Sequence, residues 1–86
     1  MEVVFSHHAE ADFLSLEKQL QKHIKKHLEK LSKMPPRRHM KHGLPWFVEK
    51  ITKQARLVYR LENECLHVLR CFATHKEYER WYLSFK

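Results

Sequence analysis

The segment ARLVYRLENECLHVLRCFATH, residues 55–75, is the longest apolar run of the chain, and arginine and histidine are interleaved with it. Both halves have the β-branched and aromatic composition of strands, so we predict a β-hairpin. The polar residues between them, Asn63 and Glu64, are not an Asn-Gly turn, which leaves the turn length open. With a two-residue turn, alternation places on one face Leu57, Tyr59, Leu61, Leu66 and Val68. The other face then carries Arg56, Arg60 and His67 beside Val58, Leu69 and Cys71.

Length and composition predict one small domain spanning residues 1–86. Apolar content is ordinary and there is a single glycine, which argues against disorder. Cys65 and Cys71 are poorly placed for a bridge across this hairpin, so we expect two free thiols in a reducing compartment. The sequence shows no secretory signal pattern and no apolar run of the roughly 20 residues that span a bilayer. We therefore expect a soluble, cytoplasmic protein.

The formal net charge of +7 is concentrated in one third of the chain. Between Lys18 and His42 there are nine lysines and arginines against one acid, Glu29, together with four of the eight histidines. Such a block predicts a polyanionic partner, either nucleic acid or an acidic protein segment. The alternative is a lysine-rich helix face that only contacts water.

The remaining segments predict helices and strands in a definite order. Residues 2–6 suit a first strand, and Ser6 suits the N-cap of a helix. Apolar residues at helical spacing from Ala9 to Leu31 predict a helix too long for a compact domain, so we expect a bend between Ser15 and Lys18. Met34 and the two prolines after it end this helix. A basic loop, residues 37–45, leads to a strand over residues 46–52, and aromatic spacing predicts a short helix in the tail.

The predicted order is therefore β, α, α, β, β, β, α. We expect a small α+β fold in which helices cover one face of an antiparallel sheet of about four strands, with two N-terminal helices packed on that sheet. A short C-terminal helix completes the domain.

Three segments resemble one protein family. The stretch MKHGLPWFVEKITKQARLVYRLE, residues 40–62, resembles the core of the RelE/ParE superfamily of toxin-antitoxin toxins, and most closely its YoeB-like branch. THKEY, residues 74–78, is similar to the end of YafQ-like toxins, and the pattern from Phe13 to Leu31 matches the two N-terminal helices of the family. The resemblance covers nearly the whole chain and implies a RelE-like fold.

The resemblance also implies a function. Such toxins are endoribonucleases that cut messenger RNA, usually in the ribosomal decoding site, and an antitoxin holds them inactive. Two other readings stay open, a ParE-like toxin that inhibits DNA gyrase without cutting RNA, and a non-catalytic basic module that binds RNA or the ribosome. We expect an acidic antitoxin to bind the basic helix and its neighbouring grooves.

RNA cleavage without a metal ion needs a base for the 2′-hydroxyl, a cation for the phosphorane and an acid for the leaving 5′-oxygen. The resemblance places Arg56 at the phosphate-binding position and His75 at the C-terminal general acid or base. YoeB-like toxins carry a glutamate base where this chain has Arg38. We therefore take the adjacent His39 as the candidate base, with His42 as the second choice.

Further candidates extend this site. Tyr78 is a further catalytic candidate, and the proposed RNA-phosphate contacts are Arg38, Lys41, Arg60 and Arg70. Tyr78 and Trp81 would either stack on bases or pack the tail helix. His23 and His27 have the i, i+4 spacing of two zinc ligands, but lysines surround them and no third ligand follows, so we predict neither a metal nor another cofactor.

Overall fold

The computed structural model describes residues 2–33 and 46–85. Its elements are β1 (Glu2–Phe5), α1 (His7–Ser15), α2 (Lys18–Lys33), β2 (Phe47–Lys50), β3 (Arg56–Glu62), β4 (Cys65–Phe72) and α3 (His75–Leu83). This order and the α+β class agree with the prediction, although β2 is shorter than the strand predicted for residues 46–52. None of the helices within these residues is long and apolar enough to cross a membrane.

The four strands form one sheet in the order β1-β4-β3-β2. β2 and β3 are antiparallel, as are β3 and β4, but β1 runs parallel to β4, with Val3 opposite Leu66 and Phe5 opposite Val68. The sheet is therefore mixed, and the expectation of a wholly antiparallel sheet is corrected at β1.

The central hairpin has the predicted two-residue turn. Asn63 and Glu64 have positive φ angles of 51° and 60°, and Glu62 pairs with Cys65. A two-residue turn with both φ values positive matches the right-handed twist of the strands that it joins. The predicted core face, which includes Leu57 and Tyr59, is confirmed.

One residue of β4 interrupts the predicted alternation. Tyr59 lies opposite Val68, but Val58 lies opposite Arg70, which leaves Leu69 as the extra residue of a β-bulge. The Ser6 hydroxyl donates a hydrogen bond to the Leu69 carbonyl and accepts one from the Ala9 backbone N–H, so it caps α1 as predicted. Beyond the bulge Cys71 lies opposite Leu57 and faces the main core, so its predicted place on the charged face was wrong.

Helices cover both faces of the sheet. Ile24, Leu28 and Leu31 of α2, with Ala9 of α1, pack on the face formed by Leu57, Tyr59, Leu66, Val68 and Cys71. The opposite face buries a second cluster, in which Trp46, Val58 and Phe72 pack against Tyr78 of α3. The prediction of helices on one face alone was therefore wrong, because α3 folds onto the charged face of the hairpin.

The helical segment breaks between Ser15 and Lys18, where the size of a compact domain had predicted a bend. Leu16 has extended backbone angles, φ −80° and ψ 156°, and the Gln21 side-chain amide donates hydrogen bonds to the carbonyls of Phe13 and Leu16 at 2.8 and 3.1 Å. Gln21 thereby supplies a side-chain donor to carbonyls at the end of α1 that lack the i+4 backbone partner of a continuing helix. The longest extent of the molecule is 32 Å, whereas one straight helix over residues 7–33 would be about 40 Å long at 1.5 Å per residue.

Candidate functional site

Arg56 begins β3 on the face of the sheet that α3 partly covers. Its Nη1 donates hydrogen bonds to the carbonyl oxygens of Thr52, Lys53 and Ala55, at 3.2, 3.3 and 3.0 Å. These contacts hold the guanidinium over the short link between β2 and β3. Among residues 2–33 and 46–85, Arg56 forms no ion pair, so its charge remains available for an anion.

Arg56 has one neighbour on each adjacent strand of the sheet, and one of the two is charged. Lys50 of β2 lies directly opposite it across the sheet, and Phe72 of β4 lies opposite on the other side. Lys50 is exposed, so two cations meet at this end of the sheet. The resemblance did not indicate Lys50, whose place follows only from the register of β2 on β3.

The Tyr78 phenol lies within the electrostatic influence of Arg56. Burial raises the pKa of Tyr78 above its ordinary value of 10, and the Tyr82 phenol adds to the rise, whereas the Arg56 guanidinium opposes it. Tyr78 is only 2% exposed and packs against Phe72 at a ring-centroid distance of 6.0 Å. The raised pKa keeps the phenol protonated at neutral pH, but burial shields its oxygen from solvent and leaves no open ring face for a base to stack on.

His75 is the first residue of α3, directly after the N-cap Thr74, whose hydroxyl accepts from the Glu77 backbone N–H. The imidazole lies 6.0 Å from the Tyr78 ring, measured between centroids, and its Nδ1 is 3.4 Å from a Glu79 carboxylate oxygen. The His75 side chain is 42% exposed. The structure thus brings Arg56, Tyr78 and His75 to one end of the same sheet face.

Arg60 and His67 lie further along this face, directly opposite each other on β3 and β4. Arg60 is exposed, and its Nε lies 3.1 Å from a carboxylate oxygen of Glu62. His67 was predicted to lie on the charged face but not to act in the site. Arg60 lies four positions after Arg56 in β3, so their Cα atoms are about 13 Å apart at 3.3 Å per residue.

Arg70 is engaged elsewhere. Its Nε and Nη2 donate to the two carboxylate oxygens of Asp12 in α1, at 2.7 and 3.3 Å. The pair lines a groove of about 470 Å³ between α1, β4 and α3, to which Arg80 and Trp81 also contribute. A phosphate reaching Arg70 would have to share it with this carboxylate.

Four of the predicted residues, Arg38, His39, Lys41 and His42, lie outside the described residues. Both candidate bases are among them, so the geometry of general-base catalysis remains a prediction. In the described part of the chain no group of three or more metal-ligating side chains occurs. His27 instead pairs with Glu49 of β2 at 2.9 Å, and His23 lies 3.4 Å from the Gln19 amide.

Comparison with solved structures identifies the architecture. The isolated E. coli RelE toxin matches with a TM-score of 0.73 at 16% identity, covering 99% of this chain and 98% of that chain. The intact E. coli RelBE toxin-antitoxin complex matches with a TM-score of 0.72 at 17% identity, covering 81% and 92% respectively. The chain has a RelE-like fold.

A further structure with this fold, the YoeB dimer from Staphylococcus aureus, matches with a TM-score of 0.69 at 20% identity and covers 83% of this chain and 93% of that chain. No family model and no curated protein matches the chain. Since the identities are low, the likeness is one of fold, and the chemistry of the site depends on this chain's own residues.

Within this RelE-like fold, the sheet end under the start of α3 holds groups that phosphoryl chemistry can use. A guanidinium fits the oxygens of a phosphate, and an imidazole can give or take a proton. Arg56 and His75 carry these groups, and Tyr78 lies beside His75 on the same helix.

Proposed function

We propose that this protein is a toxin of a toxin-antitoxin system and acts as a metal-independent endoribonuclease on messenger RNA at the ribosome. The observation that carries the proposal is the contrast among the three described arginines predicted to bind RNA. Arg60 and Arg70 are paired with carboxylates, whereas Arg56 forms no ion pair with the described residues and lies beside Tyr78 and His75.

In this proposal the 2′-oxygen attacks the neighbouring phosphorus and the bond to the 5′-oxygen breaks, which leaves a cyclic phosphate and a free 5′-hydroxyl. Arg56 stabilises the additional negative charge of the phosphorane. His75 donates the proton to the leaving oxygen, since the phenol oxygen of Tyr78 is buried, and a loop histidine, His39 or His42, takes the proton from the 2′-hydroxyl.

We also propose an acidic antitoxin as the neutralising partner. The complexes of RelE with RelB and of YoeB with YefM are among the structures with this fold. A groove of about 520 Å³ along β1 is lined mostly by apolar side chains, including Val3, Phe5 and Phe13, and by the charged residues Glu2, Glu10 and Lys25. Apolar residues of an antitoxin segment fit such a groove because they would cover its apolar surface, and the net charge of +7 favours an acidic partner for the protein as a whole.

The test is cleavage of a translated message, mapped by primer extension, for the wild type and for single-site variants. Arg56→Ala is expected to slow cleavage by about 100-fold or more, because it removes the charge that stabilises the transition state. Arg80→Ala is the matched control, since this exposed arginine of α3 lines the groove near Asp12 rather than the sheet end, and it is expected to cleave as the wild type does.

Equal rates for Arg56→Ala and the wild type would contradict the proposal. A wild type that leaves messages intact while it lowers the supercoiling activity of DNA gyrase would favour the ParE-like alternative instead.

A further inference from the structure

The chain passes from β2 to β3 through a short segment, residues 51–55 (the β2–β3 link), that contains neither glycine nor proline. Ile51 and Ala55 at its two ends are buried in the main core, and the Ile51 backbone N–H donates to the Ala55 carbonyl at 3.0 Å. Between them the Thr52 hydroxyl oxygen accepts hydrogen bonds from the backbone N–H groups of Gln54 and Ala55, at 3.2 and 3.0 Å. A threonine side chain that accepts from nearby backbone donors stabilises a turn. The conformation of the link therefore depends on Thr52.

The same link holds the Arg56 guanidinium. Within the described residues, every hydrogen bond of this side chain comes from Nη1, which donates to the carbonyl oxygens of Thr52, Lys53 and Ala55. A planar guanidinium that is bound at one nitrogen by the carbonyls of one short segment takes its orientation from that segment. If the link changed its shape, these carbonyls would move and the guanidinium would lose its fixed direction.

The contacts of Nη1 leave the other edge of the Arg56 guanidinium, Nε and Nη2, without a hydrogen bond in the described part of the chain. Such an edge can bind two oxygens of one anion at once. The protein itself provides an example, because Arg70 uses Nε and Nη2 to bind the two carboxylate oxygens of Asp12, at 2.7 and 3.3 Å. The link therefore engages Arg56 at Nη1 and leaves Nε and Nη2 for an anion.

The Thr52 side chain acts on Arg56 only through the backbone. Its hydroxyl oxygen bonds to backbone N–H groups, and it is the carbonyl of this residue that accepts from the guanidinium. We propose that Thr52 is a positioning residue for the candidate site: its side chain fixes the β2–β3 link, and the carbonyls of the link orient the Arg56 guanidinium toward the scissile phosphate. This inference rests on the proposed function for the identity of the anion, whereas the orientation of Arg56 can be measured without cleavage.

The first test measures the mobility of the arginine side chains in the full chain, from the nuclear magnetic relaxation of their Nε–H groups. In the wild type the order parameter of Arg56 is expected to be near the value of about 0.85 that rigid N–H groups have, and that of the exposed Arg80 below about 0.6. Thr52→Val keeps the shape of the side chain but removes the oxygen, so the Arg56 value is expected to fall to about that of Arg80. Thr52→Ser retains the oxygen and is expected to keep the wild-type value.

The second test measures single-turnover cleavage of a message on programmed ribosomes over a range of toxin concentrations. Thr52→Val is expected to lower the maximal rate by about 10-fold and to leave the half-saturating concentration unchanged, because a misaligned guanidinium stabilises the phosphorane less while the other contacts to the message remain. Thr52→Ser is expected to restore the wild-type rate.

Ser6→Ala is the matched control for the loss of hydrogen bonds between a hydroxyl and the backbone. The Ser6 hydroxyl also makes two such bonds, but beside β4 at the opposite edge of the sheet from the link. This variant is expected to lower Tm in thermal unfolding, as Thr52→Val does, yet to keep the wild-type rate of cleavage and the wild-type order parameter of Arg56. Equal losses of rate in Ser6→Ala and Thr52→Val would overturn the inference, because general destabilisation would then explain both.

The order parameters also decide on the inference by themselves. A wild-type Arg56 as mobile as Arg80 would overturn it without any variant having to fold, and so would a Thr52→Val variant in which Arg56 keeps its wild-type order parameter. Wild-type cleavage by Thr52→Val beside slow cleavage by Arg56→Ala would overturn it as well. If the wild type leaves messages intact, the nuclease proposal fails, and the order parameters alone then show whether Thr52 positions Arg56.

Discussion

Asp12 connects two parts of the chain that are distant in sequence, α1 and the end of β4. Its carboxylate accepts two hydrogen bonds from Arg70 and a third, at 3.0 Å, from the backbone N–H of Cys71. The side chains of the ion pair are only 20% and 27% exposed, so the carboxylate is well shielded from water. It holds α1 against the part of β4 that extends beyond β1.

The Cys71 thiol beside this carboxylate gives the fold a measurable pH dependence. Burial, with a smaller contribution from the Asp12 charge, raises the pKa of Cys71 from 9.0 to about 12. Above pH 9 the unfolded chain loses this proton while the folded chain keeps it, so stability falls as pH rises. The contribution is about 1.4 kcal/mol per pH unit and ends near pH 12, where the folded thiol also ionises.

Cys71→Ala lacks this thiol, so its free energy of unfolding is expected to fall less steeply than that of the wild type above pH 9. Urea unfolding at successive pH values, over the range in which both proteins start folded, measures the difference. If the free energy of unfolding fell equally steeply with pH for both proteins, the ionisation of Cys71 would not be the cause of the loss of stability.

At the scale of residues, the sequence indicated candidate site residues but not all of their contacts. Arg56 and His75 were proposed through the resemblance, and the structure brings both to one end of the sheet. The pairing of Arg70 with Asp12 joins residues 58 positions apart, and no local pattern predicts it. Lys50 was missed because its position opposite Arg56 depends on strand register.

The individual helices and strands were largely predictable, because composition and periodicity act locally. The hairpin, the N-cap at Ser6 and the break between α1 and α2 all follow from such signals or from chain length. The bulge at Leu69 was not predictable, since residues 69–72 alternate equally well with or without an extra residue. The direction of β1 was also missed, because strand composition does not specify the neighbour with which a strand pairs.

The turn of the central hairpin offers a way to stabilise the protein. Glu64 adopts a φ of 60°, a conformation that costs non-glycine residues energy and that type I′ turns usually assign to glycine. Glu64→Gly is therefore expected to stabilise the fold by about 0.5–1 kcal/mol, which corresponds to several degrees in Tm for a domain of this size.

Glu64→Ala is the control for this change, because it removes the same charge but keeps the Cβ atom that conflicts with a positive φ. It is expected to leave Tm nearly unchanged in thermal unfolding followed by circular dichroism. Equal effects of glycine and alanine would show that backbone conformation is not the cause.

In the molecule as a whole, both apolar clusters meet at the two central strands. Side chains of β3 and β4, among them Leu57, Val58, Leu66 and Val68, are fully buried between the helix layers. β1 and β2 are short edge strands on either side of them. The centre of the sheet therefore has the most contacts to lose on opening.

Amide hydrogen exchange is expected to follow this arrangement. The slowest amides should be those of β3 and β4, because they exchange only through global unfolding, while β1, β2 and the end of α3 exchange through local opening. Mass spectrometry of peptic fragments would measure the order. Slower exchange in α2 than in β4 would mean that the helical layer, rather than the sheet, is the last part to open.

The parallel pairing of β1 with β4 has a consequence for biosynthesis. β1 is made before its neighbour β4, and it can pair only when residues 65–68 have followed, about 60 residues later. Until then Val3 and Phe5 lack the β4 surface against which they pack. A nascent chain therefore cannot assemble the sheet before β4 is made, and β1 remains exposed in that interval, a period in which a chaperone or a partner protein can reach it.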